Sequence, residues 1–309
     1  MNYEEFLLQL VKEDDRIIVM TAENRAAIRN LPNIVSDRFI DVGIAEQTMI
    51  GMSAGLALRG RIPIVHALST FLTMRAFEFI RTDIGIGNLP VKLVGAVPGF
   101  LSDGNGPTHQ AIEDISIIRG IPPINIFCPA DEEDLMLGLR DIFLSPSPFY
   151  IRYNNLKPAV EHNKNFRIGE AEVISEGRDV VILTYGILLK QAVEASDILR
   201  SEGRSAGVVN LRTLKPVDEK LLKKVCGSDV LVVTLEDHFL TGGLYSILSE
   251  LLLREKIRCD VLPIALENKW FKPGLLPDVL EFEGFTAEKI AGRVNRELIN
   301  LSKKKEYSI

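Results

Sequence analysis

Cysteine is scarce: 309 residues hold only Cys128, Cys226 and Cys259, an odd number set far apart. That excludes a dense disulfide framework and a cysteine-built zinc site, and it fits a reducing cytoplasm. Long apolar runs are missing too. None reaches the roughly 18–20 residues that cross a bilayer. The opening MNYEEFLLQLVKEDD is acidic and lacks the basic start and apolar run of a secretory leader, so none is expected. No excess of positive charge exists. Lys plus Arg number 36 against 42 Asp plus Glu, for a net charge of -6, which gives no field for nucleic acid or an anionic membrane surface. The phosphate-cradling Gly-Lys-Ser/Thr string, a Rossmann fingerprint and an internal repeat are also absent. What is present is a 46% hydrophobic, 25% charged chain, long enough for two domains with cores.

Short β-branched runs alternate with longer helical patterns. Strands are expected at Arg16–Met20, Phe39–Val42, Pro63–Ala67, Val91–Val97, Ile124–Phe127 and Phe149–Tyr153, with helices over Ile44–Leu58 and Thr70–Ile84 between them. This is the grammar of a parallel sheet covered on both faces. Polar text over Asn154–Phe166 marks a join, after which the grammar restarts. Strands follow at Asp179–Thr184, Ser205–Asn210, Asp229–Leu235 and Cys259–Ile264, with helices at Leu188–Ser201, Asp218–Lys224, Gly243–Arg254 and Thr286–Leu301. The sequence therefore predicts two doubly wound α/β domains, at 1–158 and 169–309, joined by a linker at 159–168. The Lys303–Lys305 run is expected to be a solvated tail.

Ligands of open α/β sheets bind beyond the carboxyl ends of the strands. Three unusual segments lie there. Glu46 stands near the start of a small, apolar helix, DVGIAEQTMIGMSAGLALRG. It is either a first-turn acid favoured by the helix dipole or a buried acid able to share a proton with a ring nitrogen. Phe71, Met74 and Phe77 fall at i, i+3 and i+6, which reads as a core stripe or as a face for a flat heteroaromatic ligand. The loop LSDGNGPTHQ presents His109, either a surface histidine after a capping Thr108 or a group that exchanges protons with a ligand oxygen.

The strings DVGIAEQ, STF…RAFE, DGNGPTHQAIEDI, IRGIP…PADEEDL and VVTLEDHFLTGGLYS, in that order, resemble the C-terminal half of transketolase. Deoxyxylulose-5-phosphate synthase and the β subunit of 2-oxo-acid dehydrogenases resemble the chain less closely. The resemblance spans nearly the whole chain and implies a pyrimidine-binding domain followed by a C-terminal domain. It implies that Glu46 hydrogen-bonds N1′ of the aminopyrimidine of thiamin diphosphate, promoting loss of the C2 proton. Phe71 is implied to stack on that ring, with Phe77, Met74 and Ile44 beside it. His109 matches a substrate-channel histidine, and Arg152 an arginine that binds substrate phosphate. Arg75 and Gln110 are plausible neighbours.

The family holds the diphosphate and Mg²⁺ through a Gly-Asp-Gly followed by Asn-Asn, and this chain has no Gly-Asp-Gly. The resemblance thus implies a partner, the N-terminal transketolase subunit, in an α2β2 heterotetramer. Three departures bear on substrate. Asn105 stands where the family has an aspartate, Val97 where it has a second histidine, and the opening lacks the usual Ala-Thr-Arg. They point to ketol transfer on a modified or nucleotide-linked sugar. The alternatives are a 2-oxo-acid dehydrogenase β subunit and a non-catalytic scaffold for the partner. Gly242-Gly243, after Glu236-Asp237-His238, reads either as a partner contact or site entrance or as a helix start needing close backbone approach.

Overall fold

Parallel strands covered on both faces read as unbroken hydrophobic runs, and the runs named above become strands for that reason. The computed structural model describes residues 1–227 and 229–306. Its strands are β1 (Ile17–Thr21), β2 (Phe39–Asp41), β3 (Ile62–Leu68), β4 (Lys92–Ala96), β5 (Asn125–Phe127) and β6 (Phe149–Tyr153), then β7 (Glu172–Ser175), β8 (Val180–Thr184), β9 (Ala206–Asn210), β10 (Thr213–Lys215), β11 (Leu231–Phe239) and β12 (Asp260–Leu266). They form two sheets, ordered β10-β5-β6-β4-β3-β1-β2 and β12-β11-β8-β9-β7. β1, β8 and β9 are buried at every position. Among the described residues, the named strands pair in parallel except for β10 on β5 and β7 on β9. No described helix is long and apolar enough to cross a membrane.

Several elements depart from expectation. The helix Tyr3–Glu13 begins on a capping box, Asn2 with Glu5, and buries Tyr3, Phe6, Leu7, Leu10 and Val11. The final helix, Ala287–Glu306, carries the backbone on through Lys303–Lys305. β10 belongs to the second half in sequence yet pairs Thr213 with Phe127 and closes the edge of the first sheet. Leu211 and Leu214 beside it are buried in the same core cluster as Ile126 and Cys128.

The linker is held, not loose. His162 within it is fully buried between Asp131 (Nε2 to Oδ2, 2.8 Å) and Glu172 (Nδ1 to Oε2, 2.8 Å). Arg212 joins the same group, 2.7 Å from Asp134 and 2.8 Å from Glu172. Asp134, His162 and Glu172 have the composition of a metal site, but Arg212 and Asn210 already occupy the carboxylates. The group is an ion network spanning the join.

Burial works against a charged His162, and its hydrogen bonds to Asp131 and Glu172 outweigh that, raising it to about 10. A pKa raised on folding stabilises fully below the unfolded value, near about 6.5. That contribution declines as pH rises and is gone once the pH passes about 10. His162→Gln should therefore lose roughly 3–5 kcal/mol at pH 6, since Asp131 is left buried without its cation, while Glu172 keeps Arg212. Urea unfolding across the pH range should show the gap to the native chain closing toward pH 10.

Candidate active site

β2 ends at Asp41, whose carboxylate accepts from the Gly43 amide (2.9 Å) and from Arg25 Nε (2.7 Å), fixing the turn that follows. The helix Glu46–Leu58 starts at once, with no side-chain cap on Ala45, and sets Glu46 in its first turn at 2% exposure. A carboxylate there needs a partner. Arg75 supplies one, Nη1 to Oε2 at 2.8 Å.

Arg75 reaches Glu46 because the segment after β3 is not an ordinary helix. It winds as two π-helical turns, Phe71–Arg75 and Ile80–Gly85, around a short α segment, Phe77–Phe79. Such wide turns shift every following side chain around the axis and gather at functional sites. The expected stripe at i, i+3 and i+6 is broken accordingly. Phe71 lines a hollow of about 250 Å³ with Glu46, Ile44, Leu68, Ala22, Glu23 and Asn24. Phe77 lines a hollow with Arg81 and Ile86. Met74 is half-buried and does not line the Glu46 hollow. Ile44 does line it, although it is largely exposed. The Arg75 guanidinium lies over the Phe71 ring, 4.1 Å from its centroid.

His109 joins the group edge-on, its ring centroid 5.0 Å from that of Phe71. Thr108 caps no helix. Its hydroxyl instead meets His109 Nδ1 at 2.9 Å and orients the ring. The second domain holds the loop. Gln110 Nε2 donates to the Phe271 carbonyl (2.8 Å), the Gly274 amide donates to the Asp103 carbonyl (3.1 Å), and Phe100 sits between Phe271 and Phe285. Asn105 is exposed and donates to the Ser102 carbonyl at 3.0 Å. Val97 is half-buried with φ 59°, a region that strains a β-branched residue.

Arg152 is a correction. Its guanidinium is 3% exposed and held between Asp114 (Nε to Oδ2, 2.9 Å) and Asp237 (Nη1 to Oδ1, 2.8 Å). Tyr150 donates to the same Asp114 oxygen at 2.6 Å, and the Tyr185 ring lies 5.4 Å away. Burial disfavours the charge, but Asp114 and Asp237 more than offset this and drive the pKa far up. A group so enclosed has no face left for a substrate phosphate. At Gly99 a Cβ would stand 1.7 Å from Asp237 Oδ2, so only glycine lets the loop cross this ion triad.

Sequence reasoning missed Asp114 and Asp237 as partners, although each stands within or just after an apolar run, where an acid needs a cation. It left the Gly242-Gly243 question open. Glu236 accepts from the amides of Leu244 (2.6 Å) and Tyr245 (3.0 Å), capping the helix Leu244–Glu255. A Cβ on Gly243 would fall 2.0 Å from Glu236 Oε2. Close approach is therefore reason enough for that glycine.

Comparison with known proteins adds the following. Residues 1–158 match the family described as transketolase, pyrimidine binding domain, and residues 169–290 match transketolase, C-terminal domain. The chain is 34% identical over 294 residues to a 6-deoxy-6-sulfo-D-fructose transketolase subunit of Clostridium sp. (strain MSTE9), covering 94% of this chain and 91% of that one. It is 40% identical over 262 residues to a 1-deoxy-D-xylulose-5-phosphate synthase of Dictyoglomus turgidum, covering 84% of this chain and 42% of that protein. The chain thus spans less than half of that synthase. A structure described as a split-gene transketolase in an inactive beta4 tetramer superposes with TM-score 0.80 at 30% identity, over 96% of both chains.

The ion triad predicts that Arg152→Met loses roughly 3–5 kcal/mol of stability, because two acids are left buried without a cation. Chemical denaturation measures this. A residue serving only a substrate phosphate would leave the midpoint unmoved.

Proposed function

Because the chain belongs to the transketolase family, we propose that it is the pyrimidine-gripping subunit of a two-chain, thiamin-diphosphate-dependent transferase that moves a ketol unit between sugars. The observation that carries this reading is one hollow lined by Glu46 and Phe71, with His109 edge-on against the Phe71 ring. A buried carboxylate beside an aromatic face fits a flat ring that carries a basic nitrogen. Glu46 would hold a proton at that nitrogen, Phe71 would stack on the ring, and Ile44 would close the hollow's outer side. His109, oriented by Thr108, would exchange a proton with a substrate oxygen. The cofactor itself supplies a nucleophilic carbon that stores the electron pair of a cleaved C–C bond.

The diphosphate and Mg²⁺ would be gripped by a separate N-terminal transketolase subunit, in an α2β2 assembly. Relatives of matching length support this, among them a putative transketolase C-terminal section from Methanocaldococcus jannaschii, 32% identical over 95% of its length. The hard cation suits the Asp and Asn oxygens expected there. Arg152 has no part in this reading. With that guanidinium enclosed, and with Asn105 and Val97 in place of an acid and an imidazole, the substrate is a modified sugar. The relative named for a sulfo-sugar supports that choice. Formation of a deoxy sugar phosphate is the second reading, favoured by the 40% identity to the 1-deoxy-D-xylulose-5-phosphate synthase.

In the two-chain complex, Glu46→Gln should slow hydrogen–deuterium exchange at cofactor C2 by roughly 10²–10⁴-fold, the range for lost proton transfer, with the fold retained by circular dichroism. Exchange at the native rate would make Glu46 only a helix-start acid. Substrate choice is tested by assaying the complex on ordinary and modified ketose phosphates, with and without a 2-oxo acid donor. Asn105→Asp with Val97→His should raise kcat/KM for xylulose 5-phosphate by about tenfold or more, and no gain would make both departures neutral.

A further inference from the structure

Cys226 and Cys259 stand far apart in sequence, but the fold puts them together at one end of the second sheet. Cys226 is the last residue of the helix Glu219–Cys226, which stops on Gly227. Cys259 stands immediately before β12, whose first residue, Asp260, pairs with Leu231 at the start of β11. The parallel register thus sets the entry to β12 beside the short connection that leaves the helix. Cys226 is wholly buried in a core cluster, and Cys259 packs against the same cluster while staying partly open to solvent. Their thiols hydrogen-bond to each other. That bond lowers the Cys259 thiol below its ordinary value and raises Cys226, so the more accessible sulfur is also the one biased toward thiolate. An accessible thiolate beside a sheltered second thiol is the arrangement of an attacking and a resolving cysteine.

We propose that Cys226 and Cys259 are a modification site that a peroxide converts to a reversible disulfide. The Cys259 thiolate attacks one oxygen of hydrogen peroxide. An S–O bond forms, the O–O bond breaks, and the departing hydroxide takes up a proton as water. Cys226 then attacks the Cys259 sulfur. The S–S bond forms, the S–O bond breaks, and the second hydroxide leaves with the Cys226 proton as water. The two thiols give up two electrons in total, and the peroxide accepts them. A thiol reductant returns the pair by exchange. Transient bonds of this kind suit a reducing compartment, where lasting ones are rare. The bond would tie the end of the helix Glu219–Cys226 to the start of β12, at the amino ends of β11 and β12 and away from Glu46. The proposal is therefore independent of the function proposed above.

The test treats the purified full chain with hydrogen peroxide, denatures it in N-ethylmaleimide and maps its peptides without reduction. Of the three cysteines, only Cys128 should still take maleimide. Cys226 and Cys259 should appear as one linked pair of peptides, and dithiothreitol should restore both thiols. Cys226→Ser should stop at a sulfenic acid on Cys259, which dimedone captures. Cys259→Ser should leave Cys226 reduced over the same time, and Cys128→Ser should link as the native chain does. If Cys226→Ser fails to fold, Cys226→Ala, which keeps the buried site apolar, takes its place. A native chain that keeps all three thiols under peroxide overturns the proposal. So does one whose Cys259 ends as a sulfenic or sulfinic acid with no link to Cys226. A link from Cys259 to Cys128, or to a second copy of the chain, overturns it equally.

Discussion

The charge of Arg152 organises the centre of the molecule. Its strand β6 and the helix holding Asp114 belong to the first domain, whereas Asp237 comes from β11 of the second. One guanidinium thus ties the two domains together at a place that water does not reach. An ion triad of this kind adds little net stability compared with a well-packed apolar core, but it tolerates no partial removal. It therefore fixes geometry more than it adds free energy. The loop bearing His109 crosses directly above it at Gly99, and the clamp through Phe271 and Phe285 holds the far side of that loop.

This bears on how the site is built. Glu46 and Phe71 come from the first domain alone, while the position of His109 is decided by the second. The half of the hollow that would face the ring is therefore independent of domain docking, and the half that would face substrate depends on it. A change of docking angle would reach substrate handling before it reached the cofactor. The strain at Val97, between β4 and the clamped loop, lies where the two halves meet.

The parallel strands were legible because burial on both faces leaves an unbroken apolar signature. β7 and β10 were not, since each is a short edge strand with few apolar residues and takes its conformation from its neighbour. The helix at Tyr3–Glu13 carried a readable signal, Asn2 followed by Glu5, that went unused. Glu46, Phe71 and His109 were legible as a set because each is an unusual residue at a strand's carboxyl end. The even spacing of Phe71, Met74 and Phe77 did not carry into the fold, because π-helical turns widen the period there. Arg152 was misread for a different reason. Its partner Asp237 lies 85 residues along the chain, and no local pattern reveals a pairing at that range.

The closure of the first sheet by β10 has a consequence for synthesis. A ribosome delivers the chain from its amino end, and domains tend to fold in that order as they emerge. Here β5 at Asn125–Phe127 waits for Thr213–Lys215, so the first sheet stays open along one edge until much of the second half has been made. An unpaired edge is the part of a sheet most prone to join another chain. The nascent first domain is thus a natural client for a holding chaperone, and a cut within the linker would yield a fragment with that edge permanently bare.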